Sequence, residues 1–86
     1  MTMKIEDCFS FFQQAAIRYH SNCHDISFSI FESDTPDYLL CDITNKIAAK
    51  LHRNKHKVAE QIVSDLPFSA TITADSFVKF YLWQEV

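Results

Sequence analysis

The spacing of apolar residues changes several times along this 86-residue chain, and each change marks an element. From Ile5 to Tyr19 the apolar positions are Ile5, Cys8, Phe9, Phe12, Ala15, Ala16 and Tyr19, the stripe of an amphipathic helix, with Thr2 or Asp7 near its start. The segment "HSNCHD" breaks that period. "DISFSIFE" then alternates Ile26, Phe28 and Ile30 against Ser27, Ser29 and Phe31, which predicts a half-buried strand. "SDTPD" is turn chemistry, and Pro36 steers Thr35 away from helical backbone. A second helix is expected from Tyr38 or Asp42 to His52 over Ile43, Ile47 and Leu51. A third carries Val58, Ala59, Ile62, Val63 and Leu66 and stops at Pro67, with Asn54 between the two. "FSATIT" and "SFVKFYLW" follow as two strands joined by "ADS", a hairpin pattern.

The order helix, strand, helix, helix, strand, strand implies an α+β two-layer domain, a small antiparallel sheet with helices packed on one face. In the last strand, Val78, Phe80 and Leu82 lie on one side and Phe77, Lys79, Tyr81 and Trp83 on the other. Both sides are rich in apolar atoms, so the pattern leaves open which of them the helices cover.

Composition narrows the function classes. One domain spanning 1–86 has room for one core and none for a separate catalytic lobe. No apolar run approaches the roughly 18 residues of a membrane span. "MTMKIEDC" lacks the basic-then-apolar layout of a signal peptide, so a cytoplasmic protein is the expectation, and an initial methionine with an end just past the last strand adds the expectation of a free-standing one. Cys8, Cys23 and Cys41, odd in number and irregular in spacing, fit reduced thiols.

The chain contains no glycine, which removes the standard phosphate-cradling loops, dinucleotide fingerprints and nucleophile elbows. Left-handed backbone positions must then fall to Asn or Asp, with Asn22, Asn54 and Asp75 as candidates. His20, Cys23 and His24, and the pair His52 and His56, have spacings a metal could use. They lack the four-ligand patterns of structural zinc sites, and polar surface histidines are the expectation. Adjacent Cys23 and His24 point apart and make no nucleophile–base pair. No cofactor and no catalysis are expected.

The net charge of −3 is unevenly distributed. Acids dominate up to Asn45, whereas Lys46, Lys50, Arg53, Lys55 and Lys57 follow with no acid among them. Such a run can neutralise phosphates, although on a small domain it is more often a solvated helix face.

Three segments resemble the N-terminal additional domain of arginyl-tRNA synthetases. "TPDYLL" is similar to that family's Phe-Gly-Asp-Tyr turn through Asp37 and Tyr38. "KIAAKLHRNKHKVAEQIVSDL" resembles its paired helices through Ile47, Ala48, Leu51, Asn54, Val58, Ala59 and Glu60. "TADSFVKFYL" resembles its Ala-Gly-Pro-Gly-Phe-Ile-Asn-Phe strand through Phe77, Val78 and Phe80. The likeness runs from about Ile26 to Leu82, and a first helix like that of residues 4–19 also opens the family domain. The family's glycines are missing, with Pro36 and "ADS" in their places, while Lys79 replaces its asparagine and Lys55 its helix-starting proline. Pairing "CDIT" with Gly-Asp-Ile-Thr gives a second register, at the cost of about one helical turn downstream.

The resemblance implies a non-catalytic module that touches the D-loop corner of tRNA, with Phe77 and Lys79 at the contacting positions. Tyr81 and Trp83 extend that face by alternation, and the basic run would add phosphate contacts. The alternative is a protein-interaction or regulatory module, with a partner or a second copy of the chain pairing along the C-terminal strand.

Overall fold

The computed structural model describes residues 3–83. The first helix, α1, runs Ile5–Tyr19 and buries Cys8, Phe12, Ala15 and Ala16, one face of a 3.6-residue repeat. Lys4 stands at its cap position without a side-chain cap bond. Asp7 lies inside the first turn with Glu6, where both charges suit the helix dipole; Thr2 lies outside the described residues. A single 3-10 turn, Ser21–Cys23, follows.

The expected strand over "DISFSIFE" pairs only at its end, as β1, Ile30–Glu32. Upstream, Ile26 and Phe28 still pack against the core while Ser27 and Ser29 face solvent, so the alternation holds without a ladder. Pairing stops because the neighbouring strand turns into a helix at Asp42. There the Asp42 carboxylate accepts from the Ser29 N–H at 2.7 Å, and the Asp42 N–H donates to the Ser29 carbonyl at 3.2 Å.

That neighbour is an additional strand. Of the two starts considered for the second helix, Asp42 is the one the chain uses, and Tyr38–Cys41 forms β2. Thr35 to Tyr38 make a tight turn, closed by Tyr38 N–H to the Thr35 carbonyl at 3.2 Å. Pro36 occupies its second position and Asp37, at φ 68°, its third, the layout of a type II turn. The turn folds β2 back on β1, with Ile30 opposite Cys41 and Glu32 opposite Leu39.

Helices α2, Ile43–Leu51, and α3, Lys55–Asp65, come next. Left-handed His52, at φ 54°, ends α2, and the Arg53 N–H returns to the Ala48 carbonyl at 3.0 Å. Asn54 then caps α3, its side-chain oxygen accepting from His56 and Lys57 N–H at 3.0 and 3.1 Å. Strands β3, Ala70–Ile72, and β4, Val78–Tyr81, form the expected hairpin. Its three-residue loop has Ser76 at φ 66°. Among the described residues the left-handed positions are therefore Asp37, His52 and Ser76, in place of the expected Asn22, Asn54 and Asp75. Asn54 is held extended by its capping role, and a three-residue hairpin loop puts the left-handed residue last, one past Asp75.

The antiparallel sheet has the order β1-β2-β4-β3. Helices cover one face, where Phe12 meets Phe80, Phe68 and Phe28 with ring centroids 5.3, 5.9 and 6.3 Å apart. Ile43, Ile47, Val58, Ile62 and Val78 complete that core. The buried Thr44 hydroxyl donates to the Ser76 carbonyl, tying the start of α2 to the β3–β4 loop. β4 pairs with β2 on one side and β3 on the other. The expected association through the C-terminal strand therefore finds no open edge along residues 78–81.

Two substitutions test these local accounts. His52→Gly removes a Cβ from a left-handed cap and is expected to stabilise the domain by about 0.5–1 kcal/mol in urea unfolding, the steric relief exceeding the added unfolded-state entropy. Thr44→Val leaves the buried Ser76 carbonyl without its donor and is expected to cost about 1–3 kcal/mol in the same measurement.

Candidate functional site

Alternation along β4 sends Val78 and Phe80 into the core and Lys79 and Tyr81 to the opposite side of the sheet. Register then fixes their neighbours. Tyr38 lies opposite Tyr81, and Leu40 and Thr71 flank Lys79 from β2 and β3. Phe31 stands beside Leu40 on β1. The predicted aromatic side of the last strand is thus the side away from the helices.

The aromatic groups on this open face are ordered against one another. Tyr38 and Tyr81 stack with centroids 5.1 Å apart at 26°, while Phe31 meets Phe77 edge-on at 5.7 Å. Lys79 sits between these pairs. Its ammonium lies 5.2 Å from the Tyr38 ring centroid and donates to Thr35 Oγ1 at 2.6 Å, so the β1–β2 turn and a tyrosine face together orient it. Among the described residues no carboxylate lies within ion-pair distance of Lys79. Phe31, Tyr38 and Trp83 remain 40, 38 and 53% exposed, which leaves flat π surface in contact with water.

The basic run belongs to the other layer. Lys46, Lys50, Arg53, Lys55 and Lys57 lie on α2, on α3 and between them, all exposed. Two of them already have partners within the domain. Lys50 pairs with Asp25 at 2.8 Å and, through that bond and its charge, holds the Asp25 carboxyl below its ordinary range. The Arg53 guanidinium lies 5.4 Å from the Tyr19 ring centroid and donates to its hydroxyl at 3.2 Å. The aromatic face and the basic run, expected as one site, are therefore set on separate layers.

The residues that sequence reasoning did not place in the site are Phe31, Tyr38, Leu40 and Thr35. Phe31 carried a signal, since alternation set it against Ile26, Phe28 and Ile30. Tyr38 and Leu40 were masked because "YLLC" runs directly into a helical pattern. β1 and the two hairpin loops bring acids to the rim: Glu32 of β1 and Asp37 of the β1–β2 turn stand beside Tyr38 and Tyr81, and Asp34, with Asp75 of the β3–β4 loop, near Phe77 and Lys79.

The histidines and cysteines do not converge. His52 ends α2 and His56 lies in α3, where it pairs with Glu60 at 3.3 Å. His20 accepts from the Asn22 N–H, and the His24 ring lies 3.1 Å from the Ser21 carbonyl. Among the described residues no group of three or more His, Cys, Asp or Glu could hold a metal ion. Burial pushes all three thiols up, Cys41 most strongly, and the charges of Asp7 and Asp25 add to the effect at Cys8 and Cys23. Among the described residues no helix is long and apolar enough to cross a membrane.

Comparison with protein-family models, curated proteins and solved structures returns no match for this chain.

Buried thiols of raised pKa react slowly, because the thiolate is the nucleophile. With Cys8, Cys23 and Cys41 all free and buried, titration with an aromatic disulfide reagent at neutral pH is expected to detect almost no thiol in the folded protein and three after denaturation. Rapid modification of any one before unfolding would contradict this account.

Proposed function

We propose that this domain is a non-catalytic RNA-binding module that takes unpaired bases of a structured RNA, a tRNA or tRNA-like fold, on the open face of its sheet. The observation that carries this reading is the set of aromatic side chains, Phe31, Tyr38, Phe77, Tyr81 and Trp83, on or beside the uncovered face of a four-stranded sheet. Bases splayed from an RNA loop stack on such surfaces, each contributing roughly 1–3 kcal/mol. Lys79, oriented by Thr35 and Tyr38, stands where a phosphate or base oxygen next to a stacked base would meet it. The resemblance to the synthetase module supports the same reading, since Phe77 and Lys79 are the positions it assigns to tRNA contact.

The layering of charge shapes how binding should behave. With the basic run on the helical side and acids on the rim, stacking supplies most of the affinity and few counterions are released. Total tRNA titrated by fluorescence anisotropy is expected to bind in preference to duplex DNA, with a log–log salt slope of only about −1 to −2, as for one or two neutralised phosphates. The double variant Phe77→Ala with Lys79→Gln is expected to weaken binding at least tenfold, in line with about 1–3 kcal/mol for a lost stack. Circular dichroism checks that the variant retains its fold. Unchanged affinity in the folded double variant, or no tRNA binding by the parent at low salt, would sink the proposal.

A further inference from the structure

Between the β1–β2 turn and the end of β4 lies an open cleft of about 550 Å³, within the ~300–1,000 Å³ range of small-ligand sites. Its lining joins two kinds of group. Tyr38, Tyr81 and Trp83 supply π surface, and Glu32 and Asp37 supply carboxylates. Among the described residues neither carboxylate has an ion pair or a hydrogen bond to its side chain. Asp37 directly precedes Tyr38 and is held at the third position of the tight turn, which fixes where its side chain leaves the backbone relative to the ring.

Aromatic walls with carboxylates can take either a cation or a flat neutral group that carries N–H donors. The RNA reading takes the second of these: a base splayed from an RNA strand is flat and neutral, and its N–H edge is the group that the unpaired carboxylates of Asp37 and Glu32 would accept from. Among the common bases, guanine presents two adjacent donors, N1–H and the N2 amino group, which one carboxylate accepts side by side. Adenine and cytosine set a ring-nitrogen acceptor next to their amino group, and uracil flanks its single N–H with two carbonyls. In each of those, an acceptor lone pair faces the carboxylate.

We infer that this cleft selects guanine, the base lying against the Tyr38–Tyr81–Trp83 surface with its Watson–Crick edge at the carboxylate of Asp37, and Glu32 as a further acceptor. The inference rests on the RNA reading above and adds base identity to it. It also gives the acidic rim a role: the carboxylates meet base edges, and the phosphates lie outward.

Trp83 is the single tryptophan of the chain, so its fluorescence reports on the cleft directly. The test titrates the protein with the pentaribonucleotides UUGUU, UUIUU (I, inosine), UUAUU and UUCUU, following Trp83 quenching, with anisotropy of labelled strands in parallel. UUGUU is expected to bind about 5- to 100-fold tighter than UUAUU, the range for a well-made bidentate contact, with inosine between them because it keeps N1–H and lacks the amino group. Asp37→Asn keeps a residue that tolerates the left-handed backbone but loses the paired acceptors, and is expected to bring the guanine-to-adenine ratio near one. Equal binding of all four strands by the parent would overturn guanine selection and leave the stacking reading standing. Absence of binding to these strands and to tRNA, with quenching by an arginine-rich pentapeptide instead, would overturn both.

Discussion

Phe12 of α1 meets Phe80 of β4 at 5.3 Å, and this contact divides the domain into a dry side and a wet side. Because side chains alternate along a strand, fixing Phe80 inward fixes Val78 inward and Lys79 and Tyr81 outward. Register then carries the division across the sheet, placing Leu39 and Cys41 toward the helices and Tyr38 and Leu40 away from them. The open aromatic face therefore follows from the core contact. A one-residue slip in β4 would bury its lysine and expose Phe80 to water.

Turns without glycine are the second determinant of the face. Asp37, His52 and Ser76 hold left-handed backbone that glycine would adopt with less strain. At Asp37 the left-handed residue also brings a side chain that glycine would not supply. Its carboxylate stands beside Tyr38, whereas at Ser76 it is the backbone carbonyl, buried and bonded by Thr44, that fastens the loop. The same β1–β2 turn supplies Thr35, which holds Lys79 over Tyr38. The edge of the face is thus made by the turns and its floor by the strands.

Much of this was legible from spacing alone. The α1 stripe, the break at Asn54, the stop before Pro67 and the "ADS" hairpin are local patterns, and each is found where its period predicted. What local pattern could not reveal was set by distant partners. "YLLC" is a strand because β4 lies beside it, and it has no alternation of its own to say so. The left-handed residues were misplaced because hairpin loop length and helix-capping roles, which only the folded chain defines, decide which position takes the strain. Alternation grouped Phe77, Lys79, Tyr81 and Trp83 on one side of the strand, and the structure sets Lys79 and Tyr81 on the face away from the helices. The basic run was joined to them by composition, and layering separates the two.

β4, the last strand among the described residues, occupies an interior place in the sheet, between β2 and β3. The pairing of Tyr38 with Tyr81 spans half the chain, and such distant closures are the slow ones in folding. Until β4 arrives, β1 and β2 form a two-stranded ribbon that is marginal in water by itself, and β3 has no partner. During synthesis the domain must therefore wait for Tyr81 to leave the ribosome before its sheet can close. The helices have to keep their apolar stripes covered against one another in the meantime, and the open aromatic face comes into being only when β4 pairs.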